Sequence, residues 1–249
     1  MEDRMDVTQT PTADAAASKK IVGFVLYPGC TLLDFAGATQ IFAYTDEFEP
    51  VWIAADLSPI ATTEGVSVMP NATFGDHPPL AIVFAPGGGD TGVAAAMQDP
   101  TLQGWLKRVI AEAEWAGSVC TGAFVMAAAG AFDGCSVTTY WSARDTLAMF
   151  PTLRVVPGYP RWHLDEAKRR FSGGGISSSI DLALRLVEAI GGVAQAEASQ
   201  LRNQYAPQPP VHAGDPTEAS PELVISITQQ QASFTAGLTE ATRKVLGLD

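Results

Sequence analysis

No stretch of this chain is apolar for long enough to cross a bilayer. The longest run of small apolar residues, Ala116 to Phe132, is broken by Ser118, Thr121 and three glycines, and it falls short of the roughly 20 residues a span requires. Histidine is scarce, with 3 in 249 residues. Neither a histidine cluster nor a Cys-x-x-Cys pair is present, so no recognised metal-ligand spacing is encoded and no metal or cofactor is expected. The 3 cysteines, Cys30, Cys120 and Cys135, are an odd number in a long chain with no secretory signal pattern, which points to reduced thiols and a cytoplasmic location. Positive charge is sparse as well: 15 Lys and Arg stand against 27 Asp and Glu, for a net charge of −12. That balance repels phosphate backbones and anionic lipid alike, and it excludes nucleic acid and membrane surfaces as expected partners.

What is present is a folded composition, 47% hydrophobic with 11 Phe and 5 Trp, in a chain long enough for one full-sized α/β domain. Residues 1–18 are small and polar and read as a disordered tail, leaving 19–249 as a single domain. Lys20 to Tyr27 is a short β-rich run of the kind buried on both faces, stopped by Pro28-Gly29. A helix follows over Leu32 to Tyr44, then a strand over Val51 to Ala55. Residues 58–76, rich in turn formers, suggest a small hairpin. Ala81 to Ala85 is a fully apolar strand ended by Pro86-Gly87-Gly88-Gly89. Asp99-Pro100 opens a helix through Ala113 with Leu102, Trp105, Leu106, Val109 and Ile110 on one stripe. A very short strand ends at Val119, and a helix runs from Thr121 to about Ala129. A strand over 136–139, a short helix over 142–149 and a hairpin within 153–172 come next. Helices over Ile176 to Ile190 and Val193 to Tyr205, a proline-rich loop, and one helix from about Pro221 to Leu246 complete the chain. Strands alternating with helices imply a three-layer α/β sandwich with a mostly parallel central sheet.

The stretch Gly117-Ser118-Val119-Cys120-Thr121-Gly122-Ala123 carries the most chemistry. A strand, one reactive residue and a small-residue helix start form a nucleophile elbow, whose tight turn excludes bulky neighbours. A cysteine there lies at the positive end of a helix dipole, which favours the thiolate and lowers its pKa. Gly87-Gly88-Gly89 follows a strand at the carboxyl end, where open α/β sheets place ligands. A glycine triplet is also an ordinary tight turn, but beside an elbow its N–H groups read as an oxyanion hole. Asp34 is an acid with apolar neighbours just past the first strand, either a proton donor with raised pKa or a helix N-cap. His77 and His212 lie in proline-flanked loops, and His163 reads as a solvent-facing strand residue, so a Cys–His triad is not supported. Gly173-Gly174-Gly175, ahead of a helix, reads as close packing and a cap.

With elbow and glycines in place, the sequence resembles the ThiJ/PfpI superfamily, whose fold is similar to class I glutamine amidotransferases and flavodoxin-like, and within it the isonitrile hydratase (isocyanide hydratase) branch. The matching stretches are LLDFAGATQIF (32–42), PPLAIVFAPGGG (78–89), SVCTGAFVMAAAGAFDG (118–134), GGGISSSIDLALRLVE (173–188) and LRNQYAPQPPVHAG (201–214). The resemblance implies a cofactor-free lyase that hydrates R–N≡C to an N-substituted formamide, with Cys120 as nucleophile forming a thioimidate. It further implies Asp34 as the acid–base group, Thr121 as a contributor at the site and Gly88, with Gly89, as polarising donors. It also implies a homodimer. Another cysteine-dependent reaction, glyoxalase-type or amidase, and a redox-sensing module remain as alternatives. Two departures stand out. The family commonly reads Thr-Thr-His-Trp where this chain has Thr138-Thr139-Tyr140-Trp141, which makes Tyr140 and Trp141 candidate pocket residues, and the hairpin at 157–171 is unusual. Thr121 after the cysteine disfavours the peptidase branch, where His stands. The roughly 45 residues after Tyr205 are too few for the helix-turn-helix pair of regulatory members.

Overall fold

The computed structural model describes residues 18–248; the tail expected over 1–18 lies, but for its last residue, outside them. Strand β1 (Lys20–Val25) is buried over its last four residues and lies inside a seven-stranded sheet, a position that demands apolar side chains toward both faces. Gly29 turns the chain at φ +80°, a left-handed conformation open to glycine, and Thr31 precedes α1 (Leu32–Ala43) as its N-cap. The chain returns as β2 (Phe48–Ala54), parallel to β1. The expected hairpin follows as β3 (Ile60–Ala61) and β4 (Ser67–Val68). The same region also supplies β5 (Ala72–Thr73), which adds parallel to β2 at the sheet edge, and two residues carry no readable period.

Strand β6 (Ile82–Ala85) flanks β1 on its other side. The segment after the glycine triplet, unassigned in the sequence, is α2 (Asp90–Gln98), whose alanine-rich face shows little contrast between its sides. Asp99 then caps α3 (Pro100–Glu112), its Oδ1 accepting the N–H of Thr101 at 2.8 Å, with Pro100 at the favoured first position. Strand β7 (Trp115–Ser118) pairs with β6 and leads through the elbow into α4 (Gly122–Ala128). The strand expected over 136–139 is only β8 (Ser136–Val137), and it pairs outside the main sheet with β9 (Arg154–Val155). The short helix expected over 142–149 is a 3-10 turn at Trp141–Ala143 running into α5 (Arg144–Leu147). Strands β10 (Trp162–Asp165) and β11 (Arg170–Gly173) form the expected hairpin, β11 docking parallel to β7. The order β10-β11-β7-β6-β1-β2-β5 leaves β10 as the one antiparallel strand of that sheet.

Helices α6 (Ser178–Gly191) and α7 (Val193–Arg202) pack with α1, while α2, α3 and α4 pack with one another. The C-terminal helix is two: α8 (Pro221–Gln230) and α9 (Ala232–Leu246), parted at Gln231, which leaves helical geometry at φ −93°, ψ 4°. α9 packs on α2. Aromatic rings run through the core from β11 to β2. Phe171 meets Phe84 at 5.3 Å, Phe84 meets Phe24 at 5.1 Å, and Phe42 links Phe24 to Phe48 at 6.3 and 5.3 Å. Gly117 of β7 lies in register between Phe84 and Phe171. A Cβ at that glycine would stand 2.5 Å from the Phe171 ring, so its bareness is what lets the two rings touch across the intervening strand.

Candidate active site

The residue after β7's extension through Val119 is Cys120, held at φ +55°, a left-handed conformation that costs a non-glycine residue ~1–2 kcal/mol. The neighbouring elements impose it. The Cys120 N–H donates to the Gly173 carbonyl at 3.2 Å, and the Thr139 hydroxyl donates to the Cys120 carbonyl at 2.8 Å. Gly122 makes the helix start possible, because a Cβ there would sit 2.4 Å from the Ala85 carbonyl oxygen and 2.6 Å from that of Pro86. The elbow is therefore real in its backbone, and the glycine ahead of α6 serves it by close packing.

Asp34 is not the N-cap of α1; Thr31 holds that place and Asp34 falls in the first turn. Its side chain is wholly buried, at 0% exposure. Oδ2 accepts the Gly87 N–H at 2.7 Å, and Oδ1 has no hydrogen-bond partner. The peptide that supplies this N–H is gripped from its other end as well, since the Tyr27 hydroxyl donates to the Pro86 carbonyl at 2.8 Å. Burial pushes the Asp34 carboxyl up to about 8, with the charge of Glu64 adding and the Gly87 hydrogen bond opposing. Asp34 is thus a neutral acid at pH 7, with Oδ1 the oxygen free to carry the proton.

Cys120 is also driven toward its neutral form. Burial and the Asp34 carboxyl push its thiol well above the ordinary value, against the N–H and hydroxyl of Thr121, which act in the other direction. This overturns the expectation that the helix start lowers it. α4 has seven residues, and its small dipole does not offset the loss of water around a sulfur on a residue only 6% exposed.

The glycine triplet departs from the expected oxyanion hole in a specific way. Gly88 donates its N–H to the Thr121 hydroxyl at 3.0 Å, Thr121 donates back to the Gly88 carbonyl at 3.1 Å, and the Gly89 N–H goes to the Gly29 carbonyl at 3.1 Å. All three amides are engaged within the protein, so in this state the loop positions Asp34 and Thr121. The N–H that bears on the Cys120 sulfur is that of Thr121.

Tyr140 and Trp141 line a groove of about 1200 Å³ together with Leu33, Thr139 and Gly174. The Tyr140 hydroxyl accepts from Gln231 Nε2 at 2.7 Å. Two participants escaped the sequence reading. Tyr27 ends the first apolar run, and the rule that sheet sites gather at strand carboxyl ends was the signal that could have found it. Gln231 carries no such signal, lying in a run of glutamines.

Residues 19–156 match the DJ-1/PfpI family, which is more than half of the chain. The chain belongs to the DJ-1/PfpI family. Isonitrile hydratase of Pseudomonas putida is 34% identical over 224 residues, covering 90% of this chain and 95% of that protein. The HTH-type transcriptional regulator CdhR of Pseudomonas aeruginosa is 28% identical over 191 residues, 74% of this chain and 53% of the regulator. Among solved structures, a ThiJ/PfpI family protein from Pseudomonas syringae superposes with a TM-score of 0.84 at 29% identity, covering 96% of this chain and 97% of that one.

Within this DJ-1/PfpI fold, no histidine among the described residues is hydrogen-bonded to Cys120. His77 Nε2 accepts from the Trp105 indole at 3.0 Å, His163 lies on β10 opposite Ser172, and His212 belongs to the proline-rich loop. Cys30 and Cys135 are free and buried, and burial pushes the Cys30 thiol up to about 11. Among the described residues no group of three or more His, Cys, Asp or Glu is placed to hold a metal, and no helix is long and apolar enough to cross a membrane. What the site offers is one buried carboxylic acid, one buried thiol, and a groove beside them.

Proposed function

We propose that this protein hydrates isonitriles, R–N≡C, to N-substituted formamides. The observation that carries the reading is the buried Cys120 and Asp34 pair, each held in its neutral form without an imidazole. The terminal carbon of an isonitrile takes up a proton and a nucleophile on the same atom, so it calls for an acid and a thiol converging on one point rather than for a base-activated thiolate. Asp34 delivers its proton to that carbon while Cys120 Sγ adds to it, and the thiol proton passes to the Asp34 carboxylate. The product is the thioimidate R–N=CH–S–Cys120. Asp34, protonated again, gives its proton to the imidate nitrogen and, as a carboxylate, takes one from the water that adds to the same carbon; the C–S bond then breaks as the hydroxyl proton of the adduct passes by way of Asp34 to sulfur, and R–NH–CHO leaves. The sum is one isonitrile plus one water, with no cofactor in the balance. The Thr121 N–H steadies charge on sulfur, and the Gly88 N–H, once released from the Thr121 hydroxyl, is the donor assigned here to the developing intermediate.

Two further features support the reading. The 34% identity to isonitrile hydratase runs over nearly the whole of both chains. A nucleophile on a residue 6% exposed also suits a linear, slender, uncharged head group better than a trigonal amide or a hydrated oxoaldehyde. A redox-sensing role finds less support, because it needs thiolate character that burial removes here. The working form proposed is a cytoplasmic homodimer acting on a small molecule.

The test is formamide formation from an aromatic isonitrile, followed by absorbance, with wild type beside Cys120→Ala and Asp34→Asn. Turnover by wild type and a loss of at least about 100-fold in each variant, the scale of a lost acid–base or nucleophilic group, is expected. An inactive wild type whose Cys120 still alkylates would overturn the assignment.

A further inference from the structure

The groove beside the elbow is built from the site's own neighbours. Leu33 precedes Asp34, Gly174 follows the glycine whose carbonyl accepts the Cys120 N–H, and Thr139 donates its hydroxyl to the Cys120 carbonyl. Cys120 and Asp34 do not themselves line the groove, but their neighbours do, which makes it the space into which a molecule meeting Sγ and the Asp34 Oδ1 would extend. Its walls carry four aromatic side chains, Tyr140, Trp141, Tyr159 and Tyr205. Of the charged groups in its lining, Asp181 accepts from Arg161 and, at 2.6 Å, from the Tyr205 hydroxyl, while Asp215 and Glu218 add two carboxylates that disfavour an anionic occupant. At about 1200 Å³ the space exceeds the roughly 300–1000 Å³ typical of sites for drug-sized molecules. A small alkyl isonitrile would leave most of it to water.

Tyr140 is the aromatic wall nearest the elbow in sequence, and it is fixed from three sides. Its ring lies over Gly175, where even a Cβ would meet it at 3.7 Å. It stands edge-on to Phe234 of α9 at 6.3 Å and 88°, and its hydroxyl is held by Gln231 at the break between α8 and α9. A ring so held loses no rotamer freedom when a ligand packs on it, and aromatic pairs gain beyond the area they bury.

We infer that the groove is the R-group subsite and that the substrate class is isonitriles with an extended aromatic R group that carries no negative charge, for which Tyr140 is the specificity-determining wall. This rests on the hydratase reading. The linear C–N≡C unit places R in line behind the reacting carbon, so a thin head reaches the buried pair while the rings lie along Tyr140.

The experiment compares kcat and KM for tert-butyl, benzyl and 4-biphenylmethyl isonitrile with wild type, Tyr140→Ala, Tyr140→His and Tyr140→Phe. Each enzyme is read as the ratio of kcat/KM for the biphenylmethyl to the tert-butyl compound, so that a general loss of activity or of folded protein cancels. Wild type is expected to favour the biphenylmethyl compound at least tenfold, chiefly through KM. The ratio should fall toward one in Tyr140→Ala, fall at least threefold in Tyr140→His, and survive in Tyr140→Phe, which keeps the ring and loses only the bond to Gln231. A wild-type ratio near one, or a ratio unmoved by Tyr140→Ala and Tyr140→His, overturns the inference and leaves the hydratase reading standing. Absence of turnover with all three compounds overturns both.

Discussion

Asp34 holds a proton at pH values where an ordinary aspartate has lost it, and that has a price in stability as well as a use. Its folded value of about 8 stands above the ordinary 3.8. Between the two the folded state keeps a proton that the unfolded chain releases. The favourable contribution is therefore complete below about pH 4 and is lost as pH rises toward 8, at up to about 1.4 kcal/mol per pH unit. Asparagine has no such proton, so Asp34→Asn is expected to flatten stability between pH 5 and 8 and to unfold at higher urea than wild type at pH 8, while hydration falls. Urea titrations across that range check it; parallel curves for the two proteins would place the titrating group elsewhere. At this scale the sequence was informative where a side chain's neighbours are local. Asp34 stood out among Leu33 and Phe35, and Cys120 among its small flanks. Partners brought in by tertiary contact, such as Tyr27 to Pro86, leave no local trace. The thiol of Cys120 misled for a related reason, since the elbow motif announces a helix end but not how completely water is excluded from it.

Elements with a strong period or a clear stop were legible: β1 and β6 as apolar runs, α3 and α6 by their stripes and the caps around them. α2 was hidden by its alanines, β5 by its length, and the break at Gln231 by the absence of glycine or proline. Gly117 shows how an element can matter through what it lacks. Adding a methyl group there would force the Phe171 carbonyl and ring, 2.0 and 2.5 Å from the new atom, to move, separating β7 from β11. Overpacking of this kind costs about 1–3 kcal/mol, so Gly117→Ala is expected to lower Tm by about 3–10 °C in a domain of this size, as calorimetry would read. A Tm within a degree of wild type would mean that β11 yields freely. Because β11 also carries the Gly173 carbonyl that holds Cys120, the same variant should alkylate faster at the thiol.

On the scale of the whole molecule, the fold class followed from the alternation of strands and helices, while assembly was legible only through resemblance. α8 has no buried residue, and apolar side chains stand exposed on and near it, Ile225 at 57% and Val211 at 72%. The homodimer proposed above would have a use for such a surface. Size-exclusion chromatography with light scattering is expected to give about twice the chain mass of 26.2 kDa. Two copies of net charge −12 repel, so the dimer should tighten between about 50 and 500 mM salt. A monomer at both salt concentrations would retire the proposal.

The peptide unit joining Pro86 to Gly87, grasped by Tyr27 at its oxygen and by Asp34 at its nitrogen, behaves as a conductor. An amide polarised at one end responds at the other, so the Tyr27 hydroxyl strengthens the one hydrogen bond that opposes the effect of burial on the Asp34 carboxyl. A hydroxyl two residues past β1 thereby bears, through one shared amide, on a proton held in α1.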